Sequence, residues 1–353
     1  MYQIFCANDA NVLKKSSADL RVLLYGVSSN SPDGAAIGNQ CLEAIRHLNT
    51  LPDQRSMDFL SIALAVVAAD SFVSRQVHGA DGFARSIGLT VAIGNPTPWT
   101  KSVHTLETAL KFITGDNWQI ELLEGGASTP TRTDQKHLRN FISLYKRNAT
   151  SLFSGGMDSL IGAKSISQDY MPVLVSRSSH GDQTYQDKVF PFVPNCPRFA
   201  VNDHPDAPEI INETSSRSRS ILFIALAAMV CSAIAPLKNI SVPLFIPENG
   251  LIALNPPLTM KRLGANSTRT AHPYYLSLLQ DIFNDLNIPA TIENPFRYKT
   301  KGEMLAEAAT LGLTSKQASA TVSCGHWIRK NQQCGRCWPC LIRRASFHAA
   351  EMA

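Results

Sequence analysis

The sequence predicts an α/β protein whose C-terminal part forms a parallel β-sheet with helices on both faces. Two observations support this prediction. Short apolar segments alternate with longer segments whose apolar residues recur at helical spacing. A glycine-containing hexapeptide, residues 154–159, also separates one such strand from one such helix, and parallel sheets bind ligands at the carboxyl ends of their strands.

The length and composition of the chain fit two domains with ordinary hydrophobic cores. The chain has 353 residues, of which 44% are hydrophobic and 17% are charged. A domain usually has roughly 100–200 residues. This composition excludes an intrinsically disordered protein. The formal net charge of +5 is too small to indicate nucleic-acid binding on its own, so we expect no nucleic-acid partner.

No segment of the sequence predicts a membrane span or a secretory signal. The longest apolar run, residues 221–235, is shorter than the roughly 20 residues that a span needs, so it predicts a buried helix. The first eleven residues include Asp9 and lack a basic-then-apolar pattern. Four of the eight cysteines fall within residues 324–340, which is typical of a metal site in a reducing compartment. We therefore expect a cytoplasmic protein.

Residues 1–125 predict an N-terminal accessory domain of the α/β or α+β class. We find no phosphate loop, metal-ligand pattern or nucleophile motif in its sequence. Either Asp53 or Ser56 can cap its first helix, and Gly115 can close its second. The predicted strands are 20–27, 89–93 and 118–123, and the predicted helices are 57–72 and 103–113.

The next segment, residues 126–147, predicts a linker and a short leading helix. Residues 125–133 are small and polar and include a proline, which is typical of a linker. A helix over about residues 134–145 is expected to lead into the second domain.

The sequence pattern of residues 148–353 predicts a domain built on a parallel sheet. Strands joined through helical segments are expected to lie parallel, with ligands bound at their carboxyl ends. The predicted strands are 150–153, 172–176, 240–246 and 290–293, and the predicted helices are 159–167, 217–235, 274–286 and 301–311.

The hexapeptide has the residue types of an anion-binding loop. Two glycines allow positive φ angles and a close approach of the backbone, and the following helix start adds a partial positive charge. Serine hydroxyls can donate hydrogen bonds to phosphate oxygens, and a carboxylate can hold a Mg²⁺ ion that bridges to them. A Gly-Gly turn with a capping Asp or Ser is the structural alternative. The residues are Ser154, Gly155, Gly156, Met157, Asp158 and Ser159.

The hexapeptide resembles the PP-loop of the N-type ATP pyrophosphatases. It lacks the Gly-x-x-x-x-Gly-Lys-Ser/Thr pattern of other phosphate loops. The resemblance implies that ATP is cleaved to AMP and pyrophosphate while a substrate oxygen is adenylated. Ammonia or sulfur then displaces the AMP.

The clustered cysteines have the spacing Cys-x₉-Cys-x₂-Cys-x₂-Cys. Two thiolates separated by two residues can reach one ion from a tight turn, and four thiolates form a closed, structural zinc site. An iron–sulfur cluster is the alternative metal centre, and four unrelated buried cysteines are the structural alternative. The predicted ligands are Cys324, Cys334, Cys337 and Cys340.

The loop and the cysteine pattern together resemble the 7-cyano-7-deazaguanine synthase (QueC-like) family over residues 148–350. Residues 180–183, 217–220 and 296–303 are also similar to segments of that family, with some residues altered. The resemblance implies a Rossmann-like (adenine nucleotide alpha hydrolase-like) fold with a four-cysteine zinc site. It also implies conversion of 7-carboxy-7-deazaguanine to the nitrile with ATP and ammonia.

Two features resemble the longer members of this family that occur in antiviral defence operons, including the Qat (QatC-like) and type IV CBASS systems. These features are the first 125 residues and the segments 247–250 and 269–273. The resemblance implies that an amine of a partner protein from the same operon can replace ammonia as the acceptor.

The family resemblance assigns roles to individual residues. Asp158, Lys301 and Arg219 are the expected catalytic residues: Asp158 holds Mg²⁺, Lys301 neutralises phosphate charge and Arg219 binds the substrate carboxylate. The expected substrate-binding residues are Glu248, Asn249, Arg269 and His180. The structural alternatives are an exposed helix-start lysine, an Asn-Gly turn, a solvated arginine and a structural histidine.

Two other functions stay open at this point. A sulfur-transferring PP-loop enzyme that acts on RNA would need an iron–sulfur cluster or a catalytic cysteine near the loop. A non-enzymatic nucleotide-binding scaffold would bind ATP without turnover.

Overall fold

Two mainly parallel β-sheets, one from each half of the chain, form the framework of the computed structural model. The structure describes residues 1–80, 82–135, 138–178, 182–210, 213, 215–238, 240–256, 269–324 and 332–352. The N-terminal sheet contains β1 (Tyr2–Ala7), β2 (Leu20–Leu24), β3 (Ala35–Ile37), β4 (Gly79–Ala80), β5 (Ala84–Ile93) and β6 (Asn117–Glu124). The C-terminal sheet contains β7 (Ala149–Leu152), β8 (Pro172–Arg177), β9 (Arg198–Val201), β10 (Val242–Phe245) and β11 (Ala290–Glu293).

Helices connect the strands in both halves. In the first half they are α1 (Ala10–Leu13), α2 (Cys41–Arg46), α3 (Gln54–Phe72), α4 (Arg75–His78) and α5 (Val103–Thr114). In the second half they are α6 (Met157–Ile166), α7 (Asp182–Val189), α8 (Arg219–Lys238), α9 (Gly250–Leu254), α10 (Pro273–Leu286), α11 (Lys301–Thr310), α12 (Ser315–Ala320) and α13 (Trp338–Ala349).

The two sheets share one winding order. The C-terminal sheet runs β9-β8-β7-β10-β11, with every neighbouring pair parallel. The N-terminal sheet runs β3-β2-β1-β5-β6, also parallel, and β4 pairs with β5 in the antiparallel direction. In each sheet the chain passes through three strands in one direction and then crosses to the other side of the first strand. The predicted α/β class is confirmed.

Equivalent helices of the two halves pack against each other. Helices α3 and α8 both join the third strand of this order to the fourth, and they are in contact. Helices α5 and α10 both join the fourth strand to the fifth, and they are in contact as well. One hydrophobic core runs through both halves as a result. On the opposite face of the C-terminal sheet, α6 and α11 build a second core, so helices cover both faces as predicted.

Helix α8 is the most apolar element of this shared core. It is long and apolar enough to cross a membrane by length and composition, but 78% of its most apolar window is buried inside the protein. The prediction of a buried helix over this segment is confirmed. Its first turn lies at the carboxyl ends of the C-terminal strands, where the candidate site is found.

The predicted helix over residues 134–145 is wrong. Residues 132–135 form a single 3₁₀ turn, and the described residues 138–145 contain no helix. Two of their backbone N–H groups bond to the loop that follows α2. The backbone N–H of Ile142 donates to the His47 carbonyl at 2.8 Å, and that of Leu144 donates to Asn49 Oδ1 at 2.9 Å. These contacts with a distant segment outweigh a weak local helix preference.

Candidate active site

A cavity of about 320 Å³ lies at the carboxyl ends of β7, β8 and β10. β7 and β10 are neighbours at the point where the strand order reverses, which is where doubly wound sheets bind ligands. We call it the strand-end cavity. Its lining includes Leu152, Ser154, Ser159, Arg177, Asp182, Tyr185, Gln186, Arg219, Ser220, Phe223, Ile224, Ile246, Pro247, Glu248 and Thr270.

The predicted phosphate loop joins β7 to α6 at the edge of this cavity. Gly155 has a φ angle of +78°, and a Cβ atom there would lie 2.9 Å from Cδ2 of Tyr185. Gly156 caps α6 and supplies no side-chain hydrogen bond to the first turn, which leaves the helix-start N–H groups for another partner. The Ser154 and Ser159 hydroxyls lie 3.3 Å apart, and both residues line the cavity. This geometry is suited to an anion.

Asp158 is held in the first turn of α6 by two residues from distant segments. Lys301 Nζ lies 2.8 Å from Asp158 Oδ1. Asn249 Nδ2 donates to Asp158 Oδ2 at 2.7 Å, and Asn249 Oδ1 accepts from the N–H of Ile252 to cap α9. The structure therefore brings the two predicted residues Asp158 and Lys301 together. It places the Asn249 amide on Asp158, where the amide orients the carboxylate.

Glu248 adds a second carboxylate beside this ion pair. Burial, and then the nearby charge of Asp158, raise the pKa of Glu248 to about 8, although Lys301 opposes the shift. The Glu248 carbonyl accepts a hydrogen bond of 2.9 Å from Asn294 Nδ2, which fixes the turn after β10. Two carboxyl groups thus share one ammonium group next to the phosphate loop. This donor set fits a magnesium ion, which prefers carboxylate oxygens and phosphate oxygens as ligands.

Two arginines reach the strand-end cavity from neighbouring elements. Arg219 begins α8, its side chain is 52% exposed, and its closest anionic partner is Asp182 Oδ2 at 3.7 Å. Arg177 ends β8 and is bound to Asp203 Oδ2 at 2.7 Å. The sequence reasoning included Arg219 but missed Arg177. The signal for Arg177 was its position at the carboxyl end of an apolar strand.

Two predicted substrate-binding residues, Asn249 and Arg269, are not among the cavity-lining residues of the described chain. The Arg269 guanidinium donates to the Phe112 carbonyl at 2.9 Å and stacks over the Phe112 ring, so it faces the N-terminal half. Thr270 lines the cavity instead. His180 lies outside the described residues. Tyr185 and Gln186, which the sequence reasoning did not select, line the cavity from α7.

The four clustered cysteines converge as predicted. The sulfur atoms of Cys324, Cys334, Cys337 and Cys340 all lie within 4.8 Å of one another. Hydrogen bonds from the backbone N–H groups of Arg336 and Cys337 lower the pKa of Cys334 to about 6. A lowered thiol pKa favours the thiolate that a metal ion needs. The four-sulfur donor set fits a closed zinc site.

The cysteine cluster is linked to the phosphate loop through the segment that precedes Cys324. Arg343 of α13 donates to Thr321 Oγ1 at 2.7 Å and to the Ala318 carbonyl at 2.9 Å. One residue further, the Val322 N–H lies 3.5 Å from the Gly155 carbonyl. Residues 321–324 therefore run between the cysteine cluster and the phosphate loop.

A comparison with family models finds a match to "Queuosine biosynthesis protein QueC" over residues 272–351. This segment of the chain is QueC-like. No curated protein matches the chain. The QueC match contains Lys301 and the four cysteines but not the phosphate loop at 154–159.

The ion pair between Lys301 and Asp158 joins the QueC-matched segment to the phosphate loop. Both parts contribute to one site at the end of one parallel sheet. The QueC match, together with this arrangement, indicates an ATP-using PP-loop enzyme that carries a four-cysteine metal site.

Proposed function

We propose that this chain uses ATP to adenylate a carboxylate of the 7-carboxy-7-deazaguanine type and then passes the acyl group to an amine. The observation that supports this most directly is the Asp158–Lys301 ion pair at a helix start that has no side-chain cap, next to the strand-end cavity. An anion-binding loop, a cation-holding carboxylate and an ammonium group are the parts that phosphoryl-group chemistry requires.

The ATP end of the site is formed by the phosphate loop. The N–H groups at the start of α6, with the Ser154 and Ser159 hydroxyls, bind phosphate oxygens. Asp158 and Glu248 would hold a Mg²⁺ ion. When bound, that ion neutralises phosphate charge. Lys301 then turns from Asp158 to the phosphate oxygens, where its ammonium group stabilises the charge of the leaving pyrophosphate.

In the first step, a carboxylate oxygen of the substrate attacks the α-phosphorus of ATP. The bond from this phosphorus to the bridging β-oxygen breaks, and pyrophosphate leaves with the electron pair. The product is an acyl-adenylate. The protein contributes alignment and charge stabilisation and needs no nucleophile of its own.

In the second step, an amine nitrogen attacks the acyl carbon. The bond from that carbon to the AMP oxygen breaks, AMP leaves, and the nitrogen loses a proton to give an amide. We propose ammonia as the acceptor, with an amine of a partner protein as the alternative in antiviral defence, as in the longer relatives that the chain resembles. A cytoplasmic location is consistent with this chemistry.

The lining of the strand-end cavity is suited to a flat, heteroaromatic substrate. Phe223, Ile224 and Ile246 form an apolar wall, and Arg219 provides a cation at the mouth of the cavity. An apolar wall with few polar groups is typical of small-molecule sites. A bidentate Arg219 would orient the substrate carboxylate toward the ATP α-phosphate.

The sulfur-transfer alternative would need a cysteine in the cavity. No cysteine is among the cavity-lining residues of the described chain. The scaffold alternative predicts ATP binding without product and is decided by the same experiment as the proposal.

Mass spectrometry of the products tests the proposal. The protein is incubated with ATP, Mg²⁺ and 7-carboxy-7-deazaguanine, with and without ammonia. We expect AMP in the presence of the carboxylate and an amide when ammonia is added, or a nitrile if a second ATP adenylates the amide oxygen and AMP leaves with that oxygen. Asp158→Ala should lose this activity by at least about 100-fold, since removal of a key charge-stabilising group typically costs this much. Asp169→Ala, which changes an exposed residue just after α6, is the matched control and should retain activity.

Three results would contradict the proposal. AMP formation that does not depend on the carboxylate would exclude adenylation of this substrate. Full activity of Asp158→Ala would exclude the assigned site. ATP binding without any AMP, with ammonia and with candidate partner proteins, would favour the scaffold function.

A further inference from the structure

Four charged side chains form a buried cluster in the N-terminal half. Arg75 and Arg85 each donate to both Asp70 and Asp116, at distances of 2.5–2.8 Å. All four side chains are at most 3% exposed. The two positive and two negative charges balance within the cluster. Such a cluster contributes little to stability compared with apolar residues of the same size, but it fixes the geometry of its members.

Asp70 also accepts hydrogen bonds from the residues at the start of α8, in the other half of the chain. Its Oδ1 atom belongs to the arginine cluster. Its Oδ2 atom accepts hydrogen bonds from the backbone N–H groups of Arg217 and Ser218, at 2.7 and 2.8 Å, and from Ser218 Oγ at 2.9 Å. A carboxylate at a helix start satisfies N–H groups that have no partner in the helix and interacts favourably with the helix dipole. Asp70 therefore binds the two residues that immediately precede α8.

The residues before α8 are tied to the N-terminal half as well. The Arg75 N–H donates to Glu213 Oε2 at 2.7 Å, and Arg75 Nη1 donates to the Ser215 carbonyl at 2.9 Å. Arg217 Nη1 donates to the Thr114 carbonyl at 2.7 Å. The described part of the segment 213–218 is thus bound to the N-terminal half on the side of α3, α4 and α5.

Arg219 and Ser220 follow directly and line the strand-end cavity. Among the described residues, the ion pair of the Arg219 side chain is a long one, 3.7 Å to Asp182, so its location depends on the backbone at the start of α8. We propose that Asp70 is a positioning residue, which sets the location of Arg219 in the cavity through Ser218. The N-terminal half thereby becomes part of the active site. This inference rests on the proposed function in one respect, that Arg219 binds the substrate carboxylate.

Ser218→Ala tests this inference with little risk to the fold. Replacing Asp70 itself would leave two buried arginines short of a counter-charge. Ser218→Ala removes one hydroxyl donor and leaves both backbone donors to Asp70. Ser218→Thr keeps the hydroxyl and should restore wild-type behaviour. Ser232→Ala is the matched control, because Ser232 lies near the far end of α8 and accepts a hydrogen bond from the Asp53 N–H of the N-terminal half at 3.3 Å.

The first readout is the kinetics of carboxylate-dependent AMP formation. Ser218→Ala should raise KM for the carboxylate about 5-fold, with a smaller change in KM for ATP, whereas Ser232→Ala should change neither. In an Arg219→Ala background, Ser218→Ala should have no further effect, since both substitutions then remove the same interaction. Additive effects of Ser218→Ala and Arg219→Ala would overturn the proposal.

The second readout does not depend on activity. Amide hydrogen exchange over residues 219–224 should be faster in Ser218→Ala than in the wild type and unchanged in Ser232→Ala. If the wild type forms no AMP, the proposed function fails, and this readout still tests the role of Asp70 at the start of α8. Unchanged exchange over residues 219–224 in Ser218→Ala would overturn that role.

Discussion

At the scale of single residues, Glu248 is a carboxyl group whose charged form the fold disfavours. Its pKa is raised to about 8 by burial and by Asp158. A carboxyl group whose pKa is higher in the folded than in the unfolded state stabilises the fold below its unfolded pKa. That contribution is lost as the pH rises through the folded value. Glu248 therefore destabilises the metal-free protein at alkaline pH, which is consistent with a site built to receive a cation.

Glu248→Gln should stabilise the metal-free protein, and the gain should grow with pH. At pH 5 the two proteins should have similar melting temperatures. At pH 8.5 the variant should be more stable by about 4 kcal/mol, because the glutamine carries no charge and each pKa unit by which Glu248 is raised is worth about 1.4 kcal/mol. Thermal denaturation in magnesium-free buffer from pH 5 to 8.5 measures the difference. A stability difference that is constant over this range would show that the Glu248 pKa is not raised.

Gly155 and Gly312 allow a matched comparison at the phosphate loop. Both have positive φ angles, +78° and +79°, but only Gly155 has a neighbour within 4 Å of the position of a Cβ atom. Alanine at either position should cost about 1 kcal/mol in stability because of the left-handed backbone. Gly155→Ala should also displace the loop from Tyr185 and weaken ATP binding by at least about 10-fold, or 1.4 kcal/mol. Calorimetric titration with ATP checks this, and equal ATP affinities of the two variants would contradict it.

Site residues that belong to one short sequence motif were predictable from the sequence. The loop 154–159 and the cysteine spacing each lie within one short segment, so their chemistry follows from neighbouring residues. Arg269 was expected to bind substrate, but its guanidinium contacts Phe112. Arg177 was overlooked although it lines the cavity. The locations of both arginines depend on contacts between distant segments.

At the scale of secondary-structure elements, the segment 321–324 connects the cysteine cluster to the phosphate loop. A metal ion bound by the four cysteines would therefore fix one side of the loop as well as α13. Structural zinc sites contribute directly to folding free energy. Loss of the metal is expected to affect ATP binding even though the metal does not take part in the reaction.

Cys337→Ser should remove the bound metal and weaken ATP binding. Elemental analysis should find about one zinc per chain in the wild type, since four thiolates hold one ion, and a strongly reduced content in the variant. Cys196→Ser is the control, because Cys196 is buried away from the cluster and contacts Ser167. A brown protein that contains iron would instead establish the iron–sulfur alternative.

Elements with a strong periodic pattern were predicted well, and elements that depend on tertiary contacts were not. The long helices α3, α5, α8 and α10 have many apolar residues over ten or more positions and were predicted within a few residues of their ends. The strands β1, β3, β4 and β9 were missed, and the last three have only two to four residues, which carry little pattern. The helix predicted over residues 134–145 was lost to hydrogen bonds with the loop after α2.

At the scale of the whole molecule, the two halves are variations on one winding order, but only the C-terminal crevice is lined by the predicted loop. In the N-terminal half, the linker runs across the equivalent strand ends. Gly126 N–H donates to the Ile93 carbonyl at 2.9 Å, and Gln54 bonds to Ala127 and Thr129 at 3.0 Å. The N-terminal half therefore contacts the C-terminal half through packed helices and through the hydrogen bonds of Asp70.

The central claim is that distant segments form one adenylating site, in which Lys301 of the QueC-matched segment serves the phosphate loop. Carboxylate-dependent exchange of labelled pyrophosphate into ATP is the most direct test, because it reports the first step alone. We predict exchange in the wild type and in Lys316→Ala, which alters an exposed lysine of α12. Lys301→Ala should lose exchange by about 100-fold or more. Exchange that proceeds without the carboxylate, or that survives in Lys301→Ala, would contradict the claim.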